Sequence, residues 1–130
     1  MNSTATDVVV FLKRYAHALS AGDIDTLGGA WHAPALVLGE GGAVAIDEPD
    51  ALVRLLDTEC TRLRARGVDD VVLQMADIAE HSPTLATVEV TWRLLDAEHR
   101  RIAEERVLCL LSRSDSATAR WGFDLYVPDV

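Results

Sequence analysis

Between residues 8 and 21 the apolar positions recur at helical spacing. Val8, Leu12, Tyr15, Ala16 and Leu19 fall on one stripe, and Lys13, Arg14, His17 and Ser20 take the rest of the wheel. This predicts an amphipathic helix with Tyr15 on its buried side. Gly22 stops it, and Asp23 is placed to cap a second, shorter helix running to about His32. Gly28 and Gly29 weaken that second helix by about 1 kcal/mol each relative to alanine, so tertiary packing must hold it. Pro34 excludes further helix and opens the extended run ALVLGEGGAVAI, whose GEGG centre reads as a hairpin turn between two short strands.

The segment DEPDALVRLLDTECTRLRARG predicts the clearest helix in the chain. Asp47 is its expected cap, Pro49 sits in the first turn, and Arg62, Arg64 and Arg66 complement the dipole before Gly67 ends it. Leu52, Leu55, Leu56, Cys60 and Leu63 form its core face. Four strand-like runs follow, at roughly 70–80, 85–96, 101–113 and 118–127, separated by the turn-forming stretches HSPT, DAEHR and SDSAT. In the second run Val88, Val90, Trp92 and Leu94 alternate with Glu89, Thr91 and Arg93, as a half-buried antiparallel strand does. Helix, helix, hairpin, helix and a four-strand meander make one α+β domain over residues 1–130.

Composition adds two constraints. The chain is 49% hydrophobic with a mean hydropathy of +0.12, a surplus that calls for a lined cavity, a subunit interface, or both. Its formal net charge of −9 disfavours nucleic acid and anionic membrane surfaces as partners, since both select basic patches. MNSTATD is polar and the VVVFL after it too short for a signal peptide, and no apolar run approaches membrane-spanning length. Cys60 and Cys109 lie inside apolar patterns, as buried thiols do in reducing compartments. The expected setting is cytoplasmic.

At residue level RYAHALSAGDIDTLGGAW, residues 14 to 31, resembles the NTF2-like (cystatin-like) superfamily, which includes ketosteroid isomerases, SnoaL-type cyclases and scytalone dehydratase. RSDSATARWGFDLY is similar to that superfamily's last hairpin, and the element order matches over nearly the whole chain. The resemblance implies a cone: N-terminal helices packed on a strongly curved, mainly antiparallel sheet, with a pocket between them. It also implies frequent homodimerisation through the sheet's outer face. In ketosteroid isomerases the first-helix tyrosine donates to the oxygen that becomes an enolate, a first-strand carboxylate moves the proton, and a later-strand acid assists. Tyr15 matches the first of these. Without gaps the base position falls on Gly39, with Glu40 beside it, and the later acid falls near Leu108 or Cys109, where there is no carboxylate.

Each candidate has two readings. Tyr15 is a pocket donor or an amphipathic core residue. Glu40 is a base if a bulge turns it inward, and otherwise a solvated turn carboxylate. Alternation in WGFDLYV places Trp121, Phe123, Leu125 and Val127 on one face and Gly122, Asp124 and Tyr126 on the other. If the second face lines the pocket, Asp124 is a catalytic carboxylate and Tyr126 a ligand contact, with Arg106 on the adjacent strand as a buried counter-ion. Otherwise Arg106 makes an exposed cross-strand pair. Trp31, Trp92 and Trp121 read as cavity walls. His17, His32, His81 and His99 have no metal-ligand spacing, so no metal site is expected. The function expected is binding of a small, mostly apolar molecule, with isomerisation, dehydration or cyclisation possible without a cofactor. The other class is a non-catalytic homodimeric scaffold on the same fold.

Overall fold

A computed structural model of the chain describes residues 4–39, 41–114 and 120–128. Helix α1 spans Thr4–Ala21 and buries Val8, Leu12, Tyr15, Ala16 and Leu19, the expected stripe, together with Ala18. Gly22 ends it at φ +68°, a conformation that glycine adopts without Cβ strain. Asp23 caps α2, Ile24–Gly29, through the Thr26 backbone N–H and hydroxyl. This helix is shorter than its sequence pattern suggests. Ala30 is its C-cap, and Trp31 and His32 already belong to strand β1, Trp31–Gly39. Pro34 sits inside that strand, where the register with its neighbour shifts between Trp31 and Leu36, so the missing N–H interrupts no regular ladder.

Strand β2, Gly42–Ile46, pairs back on β1 with Gly39 opposite Gly42. Helix α3, Pro49–Ala65, is capped at Glu48 rather than Asp47, and no side-chain bond closes the cap. Pro49 at its start accounts for this, because the residue before proline is held extended, and Glu48 is so at φ −126°, ψ 142°. Only Leu56 and Leu63 of α3 are fully buried; Leu52, Leu55 and Cys60 are half-covered.

Strands β3 (Asp70–Ser82), β4 (Leu85–Leu95), β5 (Arg101–Ser112) and β6 (Gly122–Pro128) complete a six-stranded sheet in the order β2-β1-β6-β5-β4-β3. Every pairing is antiparallel except β1 with β6. The inner face carries the core: Val88, Val90, Trp92 and Leu94 of β4, Val107, Cys109 and Leu111 of β5, and Phe123 of β6. Both cysteines are free thiols. Among the described residues no helix is long and apolar enough to cross a membrane.

Candidate functional site

A cavity of about 330 Å³ lies between α1, α3 and the inner face of the sheet. Leu19, Leu56, Val71, Leu94 and Val107 give it an apolar wall. Into this wall are set two phenols and two indoles, linked in a closed circuit. Trp31 Nε1 donates to the Tyr15 hydroxyl at 3.1 Å, and Trp92 Nε1 donates to the Tyr126 hydroxyl at 3.3 Å. The Trp31 and Tyr126 rings lie 5.4 Å apart, and those of Tyr15 and Trp92 6.3 Å. Phe123, with no exposed surface, meets Tyr15 and Tyr126 edge-on at 4.9 and 5.4 Å.

Both indole N–H groups are therefore spent inside the wall. Each phenolic oxygen accepts one bond, and among the described residues neither phenolic proton has an acceptor. Burial moves the pKa of both hydroxyls well above the ordinary phenol range, and the indole bonds offset this only in part. They stay neutral, and so remain donors.

Tyr126 reaches the cavity because β6 is bulged. Phe123 pairs with Leu111 and Leu125 with Leu110, neighbours on β5, so Asp124 is an extra residue in the ladder. The insertion shifts the alternation by one place. Phe123 and Tyr126 share the inner face, and Asp124 is turned outward, away from Tyr126. There its Oδ1 lies 3.1 Å from His32 Nδ1, which is also 3.4 Å from Ser112 Oγ. The other Asp124 oxygen, Oδ2, is buried and unpartnered among the described residues. The His32 ring rests on Gly122, where a Cβ would come within 2.6 Å of Nε2.

The structure thus separates the candidates. Tyr15, Trp31, Trp92 and Tyr126 converge on the cavity. Asp124 does not, because of the bulge. Arg106 points from the outer face, 60% exposed, with Glu89 at 3.9 Å as its partner rather than Asp124. Trp121 lines a different hollow, an open groove of about 660 Å³ bordered by Phe11, Arg14 and Arg120, and Arg113 stacks 5.1 Å over its ring. Tyr15 is the wall common to both hollows. Glu40 lies outside the described residues. Among those described, no cluster of three or more His, Cys, Asp or Glu residues is arranged to hold a metal.

Three charged cavity residues escape a reading of the sequence: Glu59 and Arg62 on α3 and Glu105 on β5. Arg62 grips both Glu59 oxygens, Nη2 to Oε1 at 2.6 Å and Nε to Oε2 at 3.1 Å. The same Nη2 reaches both Glu105 oxygens at 3.1 Å, and Arg66 adds a bond to Glu105 at 3.3 Å. The Glu59 bonds, with Glu105 beyond them, push the Arg62 guanidinium above its already high range, against a smaller desolvation penalty. The i,i+3 spacing of Glu59 and Arg62 is visible in the sequence but also describes an ordinary surface pair. The third partner, Glu105, comes from a distant strand.

Residues 6–121 match the family described as NTF2-like protein (DUF6841), and the chain belongs to that family. No curated protein matches it. Among solved structures it is similar to a cystatin-like protein of unknown function from Nostoc punctiforme, at 15% identity and a TM-score of 0.74, over 94% of this chain and 86% of that one. An NTF2-like protein of unknown function from Shewanella oneidensis superposes at TM-score 0.73 and 16% identity, covering 97% and 98% of the two chains. A candidate ketosteroid isomerase from Shewanella frigidimarina gives 0.68 at 11% identity, covering 98% and 96%. At such identities the likeness is one of fold.

Proposed function

We propose that this protein binds one small, mostly apolar molecule carrying a hydrogen-bond acceptor, such as a ketone carbonyl, with the acceptor between Tyr15 and Tyr126. The observation that carries this reading is the pair of neutral phenols whose protons have no acceptor among the described residues, set in an otherwise apolar cavity. An acceptor placed there gains about 0.5–1.5 kcal/mol per bond, and an apolar body gains from the walls. Proton transfer of the isomerase, dehydratase or cyclase type suits such a pocket, because buried donors stabilise a developing oxyanion without a cofactor.

The chain also works as a homodimer in this proposal, joined through the outer face of the sheet. Support comes from the register: Ala45, Leu36, Leu125 and Leu110 lie side by side across four strands, an uncharged row with Leu36 still 43% exposed. For a chain of net charge −9, a charge-free row is where two copies can approach without repulsion. Native mass spectrometry of freshly purified protein tests both claims. A dimer carrying a small extra mass is the expected result. A monomer overturns the dimer, and failure of every carbonyl compound in a ligand screen overturns the binding site.

A further inference from the structure

The phenols supply donors, and proton transfer beside a carbonyl also needs a base in the same cavity. We propose that Glu59 is a general base of this cavity, held by Arg62 and, through Arg62, by Glu105. The proposal rests on the reading of the cavity as an acceptor-binding site and adds the group that would do chemistry there.

Two carboxylates line the cavity, and their surroundings differ. Glu105 is held by two guanidinium groups, Arg62 and Arg66, and its side chain is 22% exposed. That makes it an anchor. Glu59 is held by Arg62 alone, through a fork that fixes the carboxylate plane while each oxygen keeps a second lone pair. After burial, its negative charge adds to what disfavours ionisation of both Tyr15 and Tyr126. An i,i+3 pair on a helix surface would be an ordinary, weakly stabilising ion pair. Here both members, each 39% exposed, also line the cavity, and Glu105 from a distant strand binds the cation.

The chemistry balances without an oxidant or reductant. A Glu59 oxygen takes a proton from the carbon next to a bound carbonyl. The C–H electron pair forms the new C=C bond, and the carbonyl π pair moves onto oxygen as an enolate that accepts from Tyr15 and Tyr126. Return of the proton to the same carbon gives exchange, and return to a conjugated carbon gives an isomer. Glu59 is the catalytic residue in this scheme; Arg62 and Glu105 are positioning residues.

The test uses 2-tetralone, a compact apolar ketone with acidic α-hydrogens, in deuterium oxide. Loss of the α-proton signals by NMR reports exchange, and quenching of tryptophan fluorescence reports binding. The wild type should accelerate exchange over buffer. Glu59→Gln, which keeps the shape, should bind the ketone yet lose about a hundredfold or more of that acceleration. Glu59→Asp should restore part of it, and Glu105→Gln should lower the maximal rate while leaving half-saturation unchanged. Glu59→Gln exchanging at the wild-type rate overturns the proposal. So does a wild type that binds without accelerating exchange, although the cavity reading then stands. A wild type that does not bind the ketone overturns the proposal, and the cavity reading falls with it only when every other carbonyl compound of the screen fails too.

Discussion

Replacing Tyr15 with phenylalanine deletes one oxygen atom and separates two roles of the residue. In the folded protein that oxygen is the acceptor for Trp31 Nε1 at 3.1 Å, and the tyrosine is 5% exposed. Without it the indole N–H stays buried among Phe123 and Tyr126 with nothing to bond. Leaving a buried neutral donor unsatisfied costs about 1–3 kcal/mol. For a chain of this length each kcal/mol lowers the melting temperature by about 4 °C, so a fall of about 4–12 °C is expected. The ring is retained, so no cavity term is added. Affinity for a carbonyl ligand should fall separately, by about 0.5–1.5 kcal/mol for one lost hydrogen bond, or roughly 2- to 12-fold in Kd. Thermal denaturation measures the first effect, and fluorescence titration with 2-tetralone measures the second. Trp31→Phe removes the donor and leaves the Tyr15 hydroxyl intact, so it should cost stability without removing the ligand's partner. A Tyr15→Phe protein with wild-type melting temperature and wild-type Kd would refute the geometry and the donor role together.

Other consequences are equally direct. The chain has two tyrosines, Tyr15 and Tyr126, both pushed above the ordinary value of 10.0 by burial. The unfolded chain gives up its phenolic protons near that value while the folded chain keeps them, so these groups leave stability unchanged below it and erode stability as pH rises above it. A near-ultraviolet titration should show no phenolate in the native protein past pH 10.0, and its appearance only with unfolding; native phenolate near the ordinary value would contradict the burial. Gly122→Ala places a methyl 2.6 Å from His32 Nε2, so the ring must swing off Asp124. A loss of about 1–2 kcal/mol in chemical denaturation is expected, and a neutral result would show that the ring moves freely. Leu125→Glu, in the middle of the uncharged outer row, should yield a monomer in sedimentation analysis; an unchanged dimer would place the interface elsewhere.

Much of the fold is legible in the chain because its periodicities are strong. The α1 stripe ending in Tyr15 and Leu19 and the alternation from Val88 to Leu94 each point to one element and one buried face. The failures are local and physical. His32 looks like the end of a helix because α2 is followed by no breaker until Pro34, yet the chain leaves the helix at Ala30 and pairs Trp31 with Phe123. WGFDLYV looks like strict alternation, which puts Asp124 beside Tyr126. One inserted residue reverses that parity, and no local feature announces it. Arg106 follows the true parity of β5 and faces outward, opposite Thr91. The charged residues of the cavity were hidden for a different reason. Glu59 and Arg62 look like solvated helix positions until Glu105, 43 residues beyond Arg62, is brought to the same wall.

In the proposed function two phenol protons select an acceptor inside an apolar cavity. Calorimetric titration with 2-tetralone and with its hydrocarbon counterpart, tetralin, isolates that term, since the two differ chiefly in the carbonyl. The wild type should bind the ketone more tightly than the hydrocarbon by about 1–3 kcal/mol for two hydrogen bonds, and the Tyr15→Phe/Tyr126→Phe double variant should bind them alike. Equal affinities in the wild type would contradict the claim.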